Sequence, residues 1–405
     1  MRILVLNCGS SSIKFALHDV KRDLVLARGL IEKIGEERQY LHYKTERHNL
    51  DKEIRAKTHS DGMKLMVSIL LDKEYGVVKD LSEIAAVGHR VVHGGPFFQE
   101  PTILTEDVIE KIRECIPLAP LHNPANLVGI LEAKKVFDKV PHVAVFDTAF
   151  HQTLPEEAFI YAIPYEYYEK YKIRRYGFHG TSHKYVSLRA AELLQRPINE
   201  LKMITCHLGN GVSLTAISGG KSIDTSMGFT PLEGLVMGTR CGDLDPGVVF
   251  YLQRTLGLSV DEVDEILNRK SGLLGISGIS NDMRTIIDHA EKNDKRCQLA
   301  LKIFTYRVKK YIGAYFAILG GLDALIFTAG IGENSPEVRR MICQGLEHLG
   351  IEIDDDRNQR IIGGMEGFIS KPGAKTAILV IPTKEDKMIA YETYWVISGK
   401  NHRCE

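Results

Sequence analysis

The feature that most constrains this chain is a structural unit that occurs twice, 200 residues apart. Ile3 to Asn7 reads as a buried strand, Ile13 to Leu17 as its hairpin partner and Leu24 to Leu30 as a third strand, with Gly9 and Ser10, Ser11 and Ser12 in the first turn. Shifting the numbering by 200 lays Leu4 on Ile204, Leu6 on Cys206, Gly9 on Gly209 and Leu17 on Ile217, and puts Lys221 to Asp224 in the third-strand place. That period far exceeds the ~20 to 50 residues of repeat arrays, so it predicts two similar domains rather than a solenoid.

The rest of the pattern is α/β. Met63, Met66, Val67 and Leu70 fall at helical spacing, Ile84 to Val92 reads as a strand, and Val143 to Phe146 as another strand ending at Asp147. In the second half, Phe304, Val308, Tyr311, Tyr315 and Leu319 mark one face of a long helix. A strand follows at Leu325 to Thr328, then a glycine turn at Gly330 and Gly332. Thr376 to Ile381 reads as a strand and Asp386 to Val396 as a helix. At roughly 150 residues per domain, a chain of 405 accommodates two or three domains.

Composition narrows the partners. Lys and Arg total 52 and so do Asp and Glu, which leaves no overall field to attract nucleic acid or an anionic membrane. No segment reaches the ~18 to 20 apolar residues of a membrane helix, because the best candidate, from Tyr311, is cut by Asp323. The apolar start Ile3 to Leu6 is too short for a signal peptide. The 7 cysteines, scattered from Cys8 to Cys404 without a C-x-x-C pair, speak against a disulfide framework. A cytoplasmic protein without membrane or nucleic-acid partners is expected.

The first turn, Asn7-Cys8-Gly9-Ser10-Ser11-Ser12-Ile13-Lys14, gathers hydroxyls, a permissive glycine and a cation, as a phosphate or its metal ion requires; Ser/Gly-rich turns also arise for conformational reasons alone. His207-Leu208-Gly209-Asn210-Gly211 occupies the matching turn of the second half, and together the two suggest a nucleotide held between the domains. Thr215 to Ser222 ends like a Walker A loop but lacks its first glycine and runs into a strand, and Gly209-Asn210-Gly211 has Leu214 where a dinucleotide fingerprint needs glycine. The pairs His89/His93 and His179/His183 have a zinc-like spacing, but Gly94, Gly95 and Gly180 are expected to break any helix there. What remains is a set of charges at strand ends, where α/β folds place their ligands: Arg90, Asp147, His179 and Arg240. Two arginines flanked by glycine and apolar residues suit a planar anion.

With these residues in view, the chain resembles the acetate kinases over essentially its whole length. The resemblance is carried by Val5 to Lys14, Tyr176 to His183, His207 to Gly211, Gly238 to Asp243 and Gly330-Ile331-Gly332-Glu333-Asn334. It departs from the family pattern at Lys384, where relatives usually show Asn, and at Asp386, where they show Glu. The resemblance implies the sugar kinase, Hsp70 and actin fold: two duplicated ribonuclease H-like domains with an ATP cleft between them. The expected bounds are 1–150 plus 386–405 for the first domain and 151–385 for the second. It also implies a homodimer formed through the second domain. By position, Asn7 and Glu385 would meet Mg²⁺ (or Mn²⁺ in its place). Ser10, Ser12, Lys14 and His207 to Gly211 would face the ATP phosphates, and Asp282, Met283, Arg284 and Gly330 to Asn334 the adenosine. Arg90 would bind the acyl carboxylate, with Val92, Leu121, Phe178 and Pro231 around its methyl group. His122, His179 and Arg240 would surround the moving phosphoryl group.

The implied activity is reversible phosphoryl transfer between ATP and acetate, giving acetyl phosphate and ADP. The charge of such a transition state spreads over three equatorial oxygens, so cations should do most of the stabilising. A carboxylate acceptor is already ionised at pH 7, so Asp147 is expected to orient Mg²⁺ or Arg90 rather than act as a base. The alternatives are a propionate or butyrate kinase, since one methylene is worth only ~1 to 3 kcal/mol of discrimination, and an ATP-driven conformational module that phosphorylates no acceptor.

Overall fold

The computed structural model describes residues 1–399; Cys404 and the rest of the segment 400–405, expected in the first domain, lie outside the described residues. Two units emerge, Met1–Phe150 with the chain from Lys384 onward, and His151–Thr383. The return to the first unit thus precedes Lys384, so that Lys384 and Glu385 go with the first unit and not with the second as expected. The reason is the helix Glu385–Ser398: Glu385 is its first residue, and its Ile389 and Ala390 pack on Ile3, Val5, Val143 and Val145 of the first unit's sheet.

That sheet runs β5-β4-β3-β2-β1-β6-β8-β7. Its strands are β1 (Arg2–Gly9), β2 (Ser12–Asp19), β3 (Leu24–Glu32), β4 (Gln39–Thr45), β5 (Asn49–Ile54), β6 (Ile84–Val91), β7 (Thr102–Ile103) and β8 (His142–Phe146). β1 to β5 form an antiparallel meander, and β1, β6 and β8 are parallel. Helices on both faces make the central strands almost wholly apolar. Leu4 and Leu6 share a core with Met63 and Met66 of the helix His59–Leu70, while Ile3 and Val5 meet the C-terminal helix. A Cβ at Gly88 would fall 2.3 Å from Thr393 Oγ1, so this glycine lets that helix lie directly on β6, two residues before Arg90.

The second unit has the order β11-β10-β9-β12-β14-β13, built from β9 (Lys202–Leu208), β10 (Val212–Ser218), β11 (Lys221–Thr225), β12 (Ala324–Thr328), β13 (Gly367–Phe368) and β14 (Ala377–Val380). β11-β10-β9-β12-β14 repeats β3-β2-β1-β6-β8 in order and direction, as the internal repeat predicted. One detail differs from the uniform shift of 200. Leu4 pairs with Leu17, but Ile204 pairs with Ala216, because Gly9 and Ser12 enclose two residues whereas Leu208 and Val212 enclose three. Turn length sets hairpin register. The counterpart of Leu17 is therefore Ala216, not Ile217, and the counterpart of the cross-strand pair Asn7 and Lys14 is His207 and Ser213.

The long helix spans Lys295–Leu319 and buries Phe304, Val308, Ile312, Tyr315 and Leu319, with Tyr311 half-buried. Two local expectations are corrected. Gly330 and Gly332 lie in a short helix, Ala329–Asn334, rather than in a turn; a Cβ at Gly332 would stand 3.6 Å from the Cys206 carbonyl, so this helix lies against β9. Gly180 opens the helix Gly180–Leu194 rather than breaking one, which puts His183 in the first helical turn, its N–H bonded to the His179 carbonyl at 3.0 Å. Among the described residues no helix is long and apolar enough to cross a membrane.

Candidate active site

In the first unit the charged groups collect at the ends of β1, β6 and β8. Arg90 donates from Nε to both oxygens of Asp147, at 3.2 and 3.1 Å, and from Nη2 to Oδ2 at 2.6 Å. Asp147, 2% exposed, is itself held where β8 ends by its backbone N–H on the Val91 carbonyl at 3.0 Å. Burial disfavours the Arg90 charge, but the carboxylates of Asp147 and then Glu385 more than offset this and raise its pKa. The pair leaves Nη1 outside it, available to a second carboxylate. Asn7 and Lys14 face each other across the hairpin, Lys14 and Ser10 exposed and Asn7 and Ser12 half-buried. Val92 is buried, its N–H on Asn126 Oδ1 at 3.0 Å, and Leu121 is 60% exposed beside His122, which precedes the helix Asn123–Val136.

In the second unit three stretches far apart in sequence meet at the turn Gly209-Asn210-Gly211. A Cβ on Gly211 would come 3.2 Å from the His179 ring and 3.5 Å from Arg240 Nη1, so backbone, imidazole and guanidinium converge there. His179 adopts a left-handed conformation (φ +57°), which sets its ring stacked on His207 at 4.1 Å, with Nδ1 2.9 Å from Ser213 Oγ. His207 Nδ1 lies 2.8 Å from Ser182 Oγ. Asn210 accepts at Oδ1 from Asn281 Nδ2 at 3.0 Å and, through its carbonyl, from the Gly238 N–H at 2.9 Å. The turn is thereby tied both to the Arg240 loop and to the segment ending at Asp282.

Arg240 differs from Arg90 in kind. Among the described residues it has no carboxylate partner; its side chain hydrogen-bonds only Met237 Sδ, at 3.7 Å, and burial lowers its pKa. A half-buried guanidinium without a counter-anion is costly to keep, and a bound anion would compensate it. Phe178 is buried and Pro231 half-buried in the same unit.

The expected adenosine residues have local duties as well. Asp282 caps the helix Met283–Glu291 by accepting from the Arg284 N–H at 2.9 Å and pairs with the Arg284 guanidinium at 2.8 Å. The Met283 side chain is buried, so its backbone alone is presentable to a ligand. Glu333 Oε1 accepts from the Thr383 N–H at 3.0 Å, and Asn334 bonds the Gly330 carbonyl and the Gly363 N–H, each at 3.0 Å. Gly330 has open space where a Cβ would stand, and Leu208 is a core residue of β9.

Several residues of these clusters escape a reading of motifs. Asn126 bridges the ends of β1 and β6, donating to the Cys8 carbonyl at 2.8 Å while accepting from Val92. Asn123 holds the His93 backbone, accepting from its N–H at 3.1 Å and donating to its carbonyl at 3.0 Å. Ser213 lies between His179 and His183, 2.8 Å from His183 Nε2. The signal for the asparagines was present: two amides three residues apart at the start of a helix that is otherwise uncharged and apolar as far as Leu131.

The sequence model of the Acetokinase family matches residues 2–391. The acetate kinase of Dictyoglomus turgidum is 57% identical over 403 residues, covering 99% of this chain and 98% of that one. Among solved structures, Porphyromonas gingivalis acetate kinase superposes with a TM-score of 0.94 at 46% identity, covering 98% of this chain and 99% of the other. A propionate kinase from Francisella tularensis gives 0.91, also at 46% identity, with 97% and 99% covered. With the family signatures standing at the strand ends where the two charged clusters form, the chain belongs to the acetokinase family.

Proposed function

We propose that the chain transfers the γ-phosphoryl group of ATP reversibly to acetate, forming acetyl phosphate and ADP. The observation that carries this reading is Arg240: a guanidinium with no counter-anion among the described residues, converging with His179 on a glycine turn. Such a group is suited to negative charge that develops on a transferring phosphoryl. Arg90, oriented by Asp147, takes the acceptor carboxylate through Nη1, and Val92 with Leu121, Phe178 and Pro231 supplies the apolar wall for its methyl group. No general base is needed, since the attacking carboxylate oxygen is already anionic. Ser10, Ser12, Lys14, His207 to Gly211 and His122 serve the phosphates, and the segments 282–284 and 330–334 the adenosine.

The donor set fits Mg²⁺, or Mn²⁺, at Asn7 and Glu385: an amide and a carboxylate oxygen are hard ligands, and Glu385 lies close enough to Arg90 to affect its charge. The ion would supply neutralisation of the ATP phosphates. A cytoplasmic homodimer formed through the second unit is part of the same reading. Leu299, Tyr306 and Ile318, exposed on the helix whose opposite face is buried, support that interface, and sedimentation at micromolar concentration showing monomer would remove it.

The deciding experiment is capture of acetyl phosphate as its hydroxamate from ATP, Mg²⁺ and acetate. Acetate-dependent product is expected. ATP hydrolysis without hydroxamate would instead indicate a conformational ATPase. The likeness to a propionate kinase favours one second reading, a propionate kinase, and the ratio of kcat/KM for the two acids decides between them.

A further inference from the structure

Arg240 presents a problem of aim. Among the described residues its side chain makes one hydrogen bond, to the Met237 sulfur, and no ion pair, so no strong polar contact orients the guanidinium end. Its direction must come from the backbone of the loop that bears it. That loop is closed at its base by a short ladder, in which the Asp243 N–H donates to the Gly234 carbonyl and the Gly234 N–H to Asp243 Oδ1, both at 2.8 Å. Glycines with positive φ stand at both ends, Gly234 at +108° and Gly242 at +71°. A Cβ at either would strike a carbonyl oxygen, at 2.5 and 2.4 Å. The closure is also held from outside. Tyr311 donates its hydroxyl to Asp243 Oδ2 at 2.8 Å, and Arg307, one turn earlier on the long helix, reaches Oδ2 at 3.6 Å and the carbonyls of Gly234 and Asp243 at 3.4 and 3.3 Å. Burial and then the Asp243 charge raise the Tyr311 pKa, so the phenol remains a donor.

We propose that Asp243 and Tyr311 are positioning residues for Arg240: they lock the closed loop onto the long helix, so that an otherwise unguided guanidinium points in one direction. The proposal rests on the role given to Arg240 above. Preorganised donors contribute to catalysis only while their geometry is fixed, and displacement of a charged group by about 1 Å costs up to about 10²-fold in rate. Tyr311 is half-buried, so loss of its hydroxyl removes the bond and little packing.

The test is a double-mutant cycle on the full-length enzyme with Tyr311→Phe and Arg240→Ala, assayed by hydroxamate formation. Tyr311→Phe alone should lower kcat about 10-fold with KM for ATP and acetate within about 2-fold, while in the Arg240→Ala background it should lower kcat less than about 2-fold. A residue of merely structural importance would reduce activity by the same factor in both backgrounds, and that result, or an unchanged kcat for Tyr311→Phe, overturns the proposal. If Tyr311→Phe does not fold, Asp243→Asn taken through the same cycle decides between these outcomes. Full kcat in Arg240→Ala would be a separate failure, of the phosphoryl role itself, and would take this inference with it.

Discussion

The two units each contribute one arginine to the proposed chemistry, and the arginines are held in opposite ways. Arg90 is gripped by a buried carboxylate through three hydrogen bonds, whereas Arg240 has no anionic partner among the described residues. A paired guanidinium is a fixed clamp with a pre-set direction, suited to a ligand whose charge is the same before and after binding. An uncompensated one gains most when new charge appears beside it. The difference agrees with the proposed division, in which Arg90 binds the acceptor in the ground state and Arg240 serves the moving phosphoryl group.

The largest expected effect follows from removing the uncompensated cation. Arg240→Ala should lower kcat by about 10²-fold or more, the scale of one preorganised donor, with KM for ATP little changed. An effect confined to KM would erase the contrast between the two arginines.

Removing the grip on the other arginine should act differently. Asp147→Asn keeps the shape and one acceptor oxygen but not the charge, so Arg90 loses its fixed direction. The KM for acetate should rise about 30-fold, near 2 kcal/mol, with kcat at saturating acetate and Mg²⁺ within about 5-fold. Turnover near zero at every acetate and Mg²⁺ concentration would make Asp147 a base and contradict its orienting role.

Near Arg90, Val92→Ala removes two methyl groups from the proposed acyl wall. The ratio of kcat/KM for propionate over acetate should rise about 10-fold, or 1.4 kcal/mol. An unchanged ratio takes Val92 out of the pocket.

The units are alike in one respect that pH can probe. Burial lowers the pKa of His89 and His93 in the first, and of His151 and His183 in the second, His93 to about 3 and His151 to about 4. Unfolded, all would titrate near 6.5, so below that pH the unfolded chain binds protons that the native state refuses. Stability should therefore fall as pH drops from about 6.5 toward 4, by at most ~1.4 kcal/mol per pH unit for each group, and be indifferent to these histidines above 7. Urea midpoints at pH 7.5 and 5.5 measure this; equal midpoints would contradict it.

Much of the fold was legible because its strongest signals are periodic. The apolar strands Ile3 to Asn7 and Ile84 to Val92 and the helical face from Phe304 to Leu319 read correctly, and the repeat anticipated the three antiparallel strands β1 to β3 and β9 to β11. β5 was not legible: Asn49–Ile54 is mostly polar and exposed, the composition of an edge strand that avoids further pairing. β4 did carry a signal, with buried Gln39, Leu41 and Tyr43 alternating with Tyr40, His42 and Lys44. The candidate site was legible as motifs at strand ends but not in its register. A uniform shift of 200 places Lys14 on Leu214, a core residue, and only the three-residue turn reveals Ser213, the hydroxyl beside His179, as its counterpart. Nor could sequence distinguish a paired arginine from an unpaired one, because Asp147 reaches Arg90 across neighbouring strands.

The central claim is most directly tested by comparing Arg90→Lys with Arg240→Lys in one set of acetate and ATP saturation curves. Lysine keeps the charge but loses the planar fork. Arg90→Lys should raise the KM for acetate about 10-fold or more with kcat within about 3-fold, while Arg240→Lys should lower kcat with both KM values nearly unchanged. The reverse pattern, with Arg90→Lys lowering kcat and Arg240→Lys raising only a KM, would contradict the division of labour between the two arginines.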